Sequence, residues 1–276
     1  MIHRAETFED TMYIPLVNKI LTSGEHKQSR AGNTKSLFAQ TFTIDMQNSF
    51  PILSYRKMYL KPVLGELAAL LRGPQNIKDF KVMGCNYWDK WAKENGDIKL
   101  DYGNAWINFN GVNQLQEVVN SLINNRNDRR MLVTGWRPDR LAELSLPCCH
   151  LLYQWYVSQN KYLDMIWYQR SADVMVGLPS DIMFASALNI LLANQCGLVP
   201  RNITFVLGDT HIYENHFEPT KEYLDKARKN YKVRPLELCR KHWSINTEAN
   251  INTFMPDMLE IYNYNPLEQI KFELNV

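Results

Sequence analysis

The spacing of apolar residues divides the chain into helices and strands. Four segments carry apolar residues at a helical period, namely residues 7–20, 57–72, 112–125 and 181–195. Pro15 lies inside the first segment, where it is expected to kink or split the helix. The second segment runs up to Gly73, a residue typical of a helix C-terminus. These patterns predict four helices.

Other segments alternate in polarity or are continuously apolar, as strands are: residues 37–46, 129–136, 149–176 and 203–213. The third is long, and the polar SQNK at 158–161 divides it into a predicted hairpin of buried strands. We expect a loop over 26–36 and a mixture of strand and coil over 259–276. The sequence therefore predicts an α+β protein with one substantial sheet and polar residues at its strand ends.

Composition narrows the class of protein. The chain has 276 residues without low-complexity segments or linkers, which predicts a single domain over 1–276. A net charge of +2 argues against a nucleic-acid or membrane surface, and no apolar run reaches the ~20 residues of a membrane helix. Five cysteines without a CxxC pair or a secretory leader predict free thiols and a cytoplasmic protein.

Cys149 is the first candidate for chemistry, because it precedes His150 at the start of a predicted strand. A nearby cation favours the reactive thiolate, and adjacent strand residues face opposite ways, so only one of Cys148 and Cys149 can face a site. The alternative is that both are small core residues. Adjacent Cys-Cys-His cannot converge on one ion, so no metal is expected.

Arginines offer the second clue. Three places present guanidinium groups that suit a phosphate: Arg30, Arg129 with Arg130, and Arg170. Most such residues are solvated surface charges. Arg170 differs, because it lies inside an apolar strand where an unpaired charge is costly, so it needs an anion from the protein or from a ligand.

Seven segments in order complete the pattern: SRAGNTKSLF, GELAALLRG, YWDKWAKENGDIKLDYG, NDRRMLV, PCCHLLYQWYV, YQRSADVMVGLP and GDTHIYENH. In these segments the chain resembles thymidylate synthases almost from end to end. The resemblance implies a single α+β catalytic domain, in which helices flank a large twisted mixed sheet and one sheet face forms a homodimer interface. It also implies 5,10-methylenetetrahydrofolate as co-substrate and a pyrimidine deoxynucleotide monophosphate as substrate.

The resemblance assigns roles by position. The catalytic group comprises Cys149, the thiolate that adds to carbon 6, and Glu66, which orders proton-moving waters, with Tyr102 and His150 nearby. The phosphate ligands are Arg30, Arg170 and Ser171, together with Arg129 and Arg130 from the partner subunit, and the deoxyribose ligands are His211 and Tyr213. The folate site comprises Trp88, Trp91, Asp173, Gly177 and Leu178. Cys148 stands where the family usually has proline.

The same chemistry follows from the residue types. Carbon 5 of a pyrimidine is a poor nucleophile, and thiolate addition at carbon 6 makes it enamine-like. A carboxylate with ordered water can then remove the proton from carbon 5. Aromatic walls suit a folate ring, although core packing is the usual role of tryptophan.

Asp181 departs from the synthases, which carry asparagine there. Cytosine presents an amino donor and an unprotonated ring nitrogen, which a carboxyl group matches and uracil does not. Related dCMP hydroxymethylases of T-even phages also carry aspartate, so we expect dCMP as substrate, with a DNA-modifying role and a bacteriophage source. The alternative role for Asp181 is a first-turn carboxylate of a helix capped by Ser180.

The product and the substrate leave several alternatives. Ser180 replaces the family's usual phenylalanine and Glu273 lies in the usually apolar tail, which favours water addition and hydroxymethyl-dCMP. His150 resembles the synthases instead, which favours hydride transfer and methyl-dCMP. A synthase or hydroxymethylase that uses dUMP, an enzyme that uses the ribonucleotide CMP, and a non-catalytic RNA-binding relative are the remaining alternatives.

Overall fold

The computed structural model of the protein describes residues 7–231 and 240–276. Its helices are α1 (Ile14–Ser23), α2 (Leu60–Leu70), α3 (Ile77–Lys81), α4 (Gly103–Ile107), α5 (Gln114–Asn124), α6 (Gly177–Gln195) and α7 (Phe217–Tyr231). Its strands are β1 (Glu25–Ser29), β2 (Gly32–Asp45), β3 (Leu132–Thr134), β4 (His150–Ser158), β5 (Tyr162–Asp173), β6 (Val199–Tyr213), β7 (His242–Ile245) and β8 (Leu259–Tyr262). Cys239 lies outside the described residues, so the prediction of a free thiol there has no structural counterpart.

A six-stranded sheet organises the molecule, in the order β1-β2-β6-β5-β4-β3. Strands β5 and β6 are parallel, and the other neighbours are antiparallel. The parallel pair requires a crossover, which α6 provides as it packs on β5 and β6. The prediction of a large mixed sheet flanked by helices is confirmed, and β7 with β8 form a separate two-stranded sheet.

The core lies between α6 and one face of the sheet. Alternate residues of the central strands are buried, including Trp155 in β4, Trp167 in β5 and Phe205 in β6. Most positions of α6 are buried on all sides of the helix, as expected for a helix enclosed by the domain. This burial fixes the register of the strands, because a slip by one residue would expose the entire apolar set.

The opposite face of the sheet carries exposed apolar side chains. Tyr156 in β4 is 66% exposed and Ile166 in β5 is 44% exposed. Both lie on the face opposite the core, since Tyr156 pairs with Asp164 across β4 and β5, two residues from Ile166. The sheet therefore has one buried face and one face with apolar side chains in solvent.

Several predicted boundaries need correction. Residues 26–36 are not a loop, because β1 and the start of β2 form a hairpin there around the turn at Arg30 and Ala31. Its side chains are mostly exposed, so no hydrophobic alternation marked it. The first predicted helix is a π-helical turn at Glu9–Tyr13 followed by α1, with Pro15 in the first turn of α1.

The start of α6 matters most for the site. Prediction placed it at Asp181, whereas the helix begins at Gly177. Asp173 Oδ1 accepts the backbone N–H groups of Met175 and Val176, which forms the turn into the helix. Asp181 consequently lies in the second turn and Ser180 is not the cap, so the alternative roles as a first-turn carboxylate and its cap are wrong.

The other predicted elements are present with different bounds, since α2, α5 and β3 are shorter than predicted, whereas β2 and β6 begin earlier. The helix predicted over 57–72 corresponds to α2 (Leu60–Leu70). Gly73 lies shortly after the end of α2 with φ 66°, a conformation that favours glycine. The hairpin of β4 and β5 has its turn at Gln159 and Asn160 as predicted. Among the described residues, no helix has both the length and the apolar character needed to cross a membrane.

Candidate active site

Cys149 lies immediately before β4, with its backbone held from two sides. Its N–H donates to the Tyr102 hydroxyl at 2.8 Å, and its carbonyl accepts from the Arg170 N–H at 2.8 Å. The side chain is half-buried, whereas Cys148 is buried and its Sγ lies 3.4 Å from the Gly135 carbonyl oxygen. Of the two adjacent thiols, Cys149 is therefore the accessible one.

Arg170 connects the cysteine loop to β5. Its Nε donates to the Cys148 carbonyl at 2.7 Å, and its Nη2 donates to the Pro147 carbonyl at 3.0 Å. The guanidinium carbon lies 5.6 Å from the centre of the Trp136 ring. Arg170, for which the sequence identified no partner, therefore donates its hydrogen bonds to backbone carbonyls next to Cys149.

Two opposing effects act on the Cys149 thiol. Burial raises its pKa, while the charge of Arg170 and a hydrogen bond from Tyr102 lower it. Burial is the larger effect, so the side chain is a thiol near neutral pH. A change that strengthens the positive field around it favours the thiolate.

Glu66 extends from α2 toward the same region. Trp88 Nε1 donates to its Oε1 at 2.8 Å. Burial first, and then the negative charge of Asp181, raise the pKa of Glu66 to about 8. Near neutral pH this carboxyl group can both hold and release a proton, which suits general acid–base catalysis.

Asp181 projects from the second turn of α6. Gln169 Nε2 donates to its Oδ2 at 2.8 Å, and a Cβ on Gly177 would lie 3.7 Å from the same oxygen. Burial raises the pKa of Asp181 to about 7, although the Gln169 hydrogen bond lowers it. Both protonation states are accessible near neutral pH, so the carboxyl group can accept or donate a hydrogen bond.

His150 lies in an aromatic enclosure. Its ring centre lies 4.7 Å from that of Tyr102 and 4.4 Å from that of Trp167, and its Nδ1 lies 2.6 Å from the Tyr153 hydroxyl. Burial lowers the pKa of His150 to about 3. The imidazole is therefore neutral at physiological pH and cannot supply a positive charge to Cys149.

These contacts bring the predicted catalytic residues into one cluster. Tyr102 bonds to Cys149, and its ring centre lies 5.3 Å from that of Trp88, whose indole bonds to Glu66. Glu66 in turn responds to the charge of Asp181. Residues far apart in sequence are thus linked by contacts into one cluster, which comprises one thiol, two carboxyl groups and one guanidinium group.

The predicted nucleotide-binding residues of β5 and β6 are neighbours. Ser171 pairs with Asp209, and Asp173 pairs with His211, across the parallel strands. His211 Nδ1 lies 3.0 Å from Asp209 Oδ1, and the ring centre of Tyr213 lies 5.1 Å from that of His211. Asp209 was not predicted as part of the site, and it orients the His211 ring.

Arg30 lies in the exposed turn between β1 and β2. Tyr213 lies beside that turn, because it pairs with Thr34 across β2 and β6 and a Cβ on Gly32 would lie 3.7 Å from its ring. Arg30 therefore borders the same end of the sheet as Tyr213.

Arg129 and Arg130 lie on an exposed segment before β3. The Arg130 side chain is 88% exposed and its Nε lies 3.2 Å from Asp128 Oδ1. Gln154 Nε2 lies 3.5 Å from the Arg129 carbonyl. In the described part of the chain, the hydrogen bonds of these arginines do not join them to the Cys149 cluster.

The predicted folate residues fall into two groups. Trp88 packs at 5.7 Å from Trp91 and at 5.6 Å from Phe80, and Trp91 is half-buried at the edge of this group. Leu178 is fully buried and Gly177 half-buried at the start of α6. Asp173 caps the turn before that helix, and its Oδ1 lies 4.0 Å from His216 Nδ1.

The C-terminal segment docks beside this region. The Phe272 ring lies 4.7 Å from the Arg56 guanidinium carbon and 5.3 Å from the His216 ring. The Glu273 carbonyl oxygen lies 2.8 Å from His216 Nε2, whereas the Glu273 side chain is exposed. The tail is held by its backbone and by Phe272.

Sequence reasoning missed two polar residues. Gln169 stands between Tyr168 and Arg170, and a buried amide in an otherwise apolar strand was the available signal. Tyr87 precedes Trp88, and burial, followed by the charge of Glu66, raises the pKa of its phenol. Within residues 7–231 and 240–276, no group of three or more His, Cys, Asp or Glu side chains is arranged to hold a metal ion.

Comparison with known families agrees with this geometry. The sequence model described as thymidylate synthase matches residues 11–276 of the chain. The match covers every described element from α1 to β8, including all strands of the large sheet.

Proposed function

Because the chain belongs to the thymidylate synthase family, we propose that it acts on dCMP and produces 5-hydroxymethyl-dCMP. Family membership accounts for the coarser part of this activity, which is transfer of a one-carbon unit from methylenetetrahydrofolate to carbon 5 of a pyrimidine nucleotide. The match over 11–276 also supports a single catalytic domain. The identity of the base and the fate of the one-carbon unit are our proposals.

The hydrogen bond between Gln169 and Asp181 is the observation that supports cytosine. Gln169 occupies Oδ2 of the carboxyl group, which leaves Oδ1 to meet the base. An ionised Oδ1 accepts from the cytosine amino group, and a protonated one donates to the ring nitrogen. Uracil presents a carbonyl oxygen and an N–H at those positions, so an ionised carboxylate would face an oxygen with no hydrogen between them.

The remaining residues serve the chemistry as follows. Arg170 and Ser171, with Arg30, bind the phosphate, whose binding brings the base against Cys149. The thiolate adds to carbon 6 and raises the electron density at carbon 5, which then attacks the one-carbon unit of the folate. Glu66 receives the proton from carbon 5 through ordered water, as its pKa of about 8 permits.

Loss of the folate leaves an exocyclic methylene on carbon 5. Addition of water gives hydroxymethyl, whereas hydride transfer from the folate gives methyl. The half-buried hydroxyl side chain of Ser180, which precedes Asp181 on α6, supports water addition. The neutral, enclosed His150 is the observation that favours the second candidate, a dCMP methyltransferase, because it leaves the nucleophile's surroundings apolar as hydride transfer requires.

A homodimer is also part of the proposal. Tyr156 and Ile166 form an exposed apolar surface on the outer face of the sheet, which suits a second copy of the chain. Arg129 and Arg130 are exposed, and the described hydrogen bonds of the Arg130 side chain go to Asp128 and not to their own chain's cluster, which supports a role in the phosphate site of a partner.

Competition between nucleotides tests the proposal. The protein is incubated with equal dCMP, dUMP and CMP plus methylenetetrahydrofolate, and the products are identified by mass spectrometry. We expect only the dCMP signal to move, by the mass of CH2O, because a hydroxymethyl group replaces the hydrogen on carbon 5. A methyl product would support the second candidate, and consumption of dUMP or CMP would contradict the assigned base or sugar.

A further inference from the structure

The loop that ends at Cys149 lies alongside the segment that contains Tyr102. This Cys149 loop spans residues 140–149. Near its middle, the Ser145 N–H donates to the Lys99 carbonyl at 2.9 Å, and Ser145 Oγ accepts from the Lys99 N–H at 3.2 Å. At its end, the Cys149 N–H donates to the Tyr102 hydroxyl at 2.8 Å. The loop is therefore held at several points along one neighbouring segment.

The start of the Cys149 loop is held to the same segment by an ion pair. Arg140 Nη1 lies 3.2 Å from Asp101 Oδ1, and the Asp101 side chain is 1% exposed whereas that of Arg140 is 36% exposed. Asp101 Oδ2 is also buried and has no hydrogen-bond partner among the described residues. Burial raises the pKa of Asp101 and the charge of Arg140 lowers it, so the ionised carboxylate depends on this arginine.

A second ion pair joins the loop to the segment, but it lies in solvent. Lys99 Nζ lies 3.5 Å from Glu143 Oε2, and both side chains are half-exposed. Water and salt screen such a pair, so it contributes little to stability. A buried carboxylate that loses its cation is strongly unfavourable by comparison. Of the two ion pairs, that of Asp101 with Arg140 is therefore the one expected to fix the loop.

Asp101 also lies close to the other end of the Cys149 loop. A Cβ on Gly135 would lie 3.1 Å from the Asp101 carbonyl oxygen and 3.3 Å from Cys148 Sγ, so Asp101 and Cys148 both lie against Gly135. Arg170 Nε donates to the Cys148 carbonyl at 2.7 Å. A displacement of Asp101 would therefore reach the residue that precedes Cys149.

We propose that Asp101 and Arg140 are positioning residues for Cys149, and that their ion pair holds the Cys149 loop where Tyr102 can fix the Cys149 backbone. The inference rests on the proposed function, in which Cys149 is the nucleophile, but it does not depend on the base or the product. A misplacement of about 1 Å at a reacting group can cost about a hundredfold in rate. Loss of the ion pair should therefore reduce turnover.

Replacing Arg140 with Leu tests this anchor. With the nucleotide that the wild-type enzyme converts, kcat of Arg140→Leu should fall by about tenfold or more. Arg140→Lys keeps the cation and should retain at least about a third of the wild-type kcat. The matched control is Glu143→Leu, which removes the exposed ion pair of the same loop and should keep the wild-type kcat.

Alkylation of thiols by iodoacetamide gives a second measurement, which needs no substrate. Burial opposes formation of the Cys149 thiolate, so a loosened loop should favour it. In Arg140→Leu, the peptide that contains Cys148 and Cys149 should therefore be alkylated about threefold faster or more at neutral pH. Cys196, a buried free thiol at the end of α6, reports general unfolding and should keep its wild-type rate. Mass spectrometry of the peptides gives both rates.

A double variant separates positioning from stability. Arg140→Leu leaves the buried Asp101 carboxylate without its cation, and the further change Asp101→Asn removes that charge. The Tm of the double variant should therefore recover toward that of the wild type. Its kcat should stay low, because the ion pair is still missing. The double variant also takes the place of Arg140→Leu if the single variant does not fold.

Four results would overturn the positioning role. Arg140→Leu could match the wild type in kcat and alkylation, or Glu143→Leu could lose as much kcat as Arg140→Leu. Alkylation of Cys196 could rise in parallel with that of the Cys149 peptide, which would indicate general unfolding. In the double variant, kcat could recover together with the Tm, which would reduce the ion pair to a contribution to stability.

Failure of the proposed function gives a different result. The wild-type protein would then convert none of the tested nucleotides, whereas the alkylation rates could still be compared. A selective rise for the Cys149 peptide in Arg140→Leu would still support anchoring of the Cys149 loop by the ion pair, and an unchanged rate would overturn it.

Discussion

Gln169 Nε2 lies 2.8 Å from Asp181 Oδ2 and also 3.0 Å from the Ser171 carbonyl, while Gln169 Oε1 accepts from Trp167 Nε1 at 3.1 Å. The amide orientation is therefore set by the indole donor, and the Asp181 carboxyl group is set by the amide. A residue of β5 thus determines which oxygen of an α6 side chain is left for a ligand.

Replacing Gln169 with Leu should weaken this orientation. Loss of one buried hydrogen bond to a carboxyl group costs about 1–3 kcal/mol, so kcat/KM for dCMP should fall roughly 5- to 150-fold. Gln116→Leu serves as the matched control, because that side chain bonds to Asn120 on an exposed part of α5. Steady-state kinetics of both variants test this expectation. A kcat/KM of Gln169→Leu equal to that of the wild type would contradict the orienting role.

Asp181→Asn should move the preference from dCMP toward dUMP. An amide presents the donor and acceptor that uracil requires. The ratio of kcat/KM for dCMP to that for dUMP should therefore fall by about a hundredfold or more. Asp225→Asn is the control, since Asp225 pairs with Arg228 on an exposed part of α7. An unchanged ratio in the Asp181 variant would contradict base reading by this side chain.

Cys149→Ser should abolish turnover while dCMP still binds, because an unactivated hydroxyl group is a far weaker nucleophile than a thiolate. Cys148→Ser should retain turnover, since the Cys148 thiol is buried against the Gly135 carbonyl. Calorimetry and product assays of both variants check this. Retained turnover in the first and loss in the second would assign the nucleophile to Cys148.

Glu66 should make stability depend on pH. Its pKa is raised from 4.5 to about 8 in the folded protein, so between those values the folded state binds more protons than the unfolded state, and this contribution to the free energy of unfolding falls as pH rises. Glu66→Gln removes that contribution. The Tm of the variant minus the Tm of the wild type should therefore increase from pH 5 to pH 9, and a constant difference would contradict the raised pKa.

Subunit sharing predicts complementation. If Arg130 serves the partner's phosphate site, Arg130→Ala damages the partner's site and Cys149→Ser damages its own. Every mixed dimer would then contain one intact site and one doubly damaged site. Mixing the two inactive proteins under conditions of subunit exchange should restore up to roughly a quarter of the activity. Arg228→Ala, on exposed α7, is the control in place of Arg130→Ala and should itself stay active.

Fold class was predictable because it depends on patterns that are local. Strand β4 and strand β5 were visible from their continuous apolar character, and α5 from its period. The hairpin of β1 and β2 was not, since its exposed polar strands are held by backbone pairing and carry no hydrophobic signal. The start of α6 was missed because the turn held by Asp173 precedes a proline that is tolerated in a first helical turn.

The identities of the site residues were more predictable than the contacts between them. Ordered motifs identified Cys149, Glu66 and Arg170, which the structure brings into one cluster or beside it. The contacts between them were not readable, because a bond such as that from Trp88 to Glu66 depends on the packing of a loop against α2. His150 is neutral because it is buried, and that burial depends on the rings of Tyr102, Trp167 and Phe184, which come from separate segments.

The parallel pairing of β5 and β6 through α6 has a consequence for how the choice of substrate can evolve. On the proposed assignment, the residues that read the base and the sugar lie between Tyr162 and Tyr213, together with the phosphate ligands Arg170 and Ser171, whereas Glu66 and Trp88 come from an earlier part of the chain. Substitutions within this one stretch can therefore alter which nucleotide is accepted while the one-carbon chemistry is left in place. Related proteins can therefore evolve a different choice of base while they keep the same one-carbon transfer.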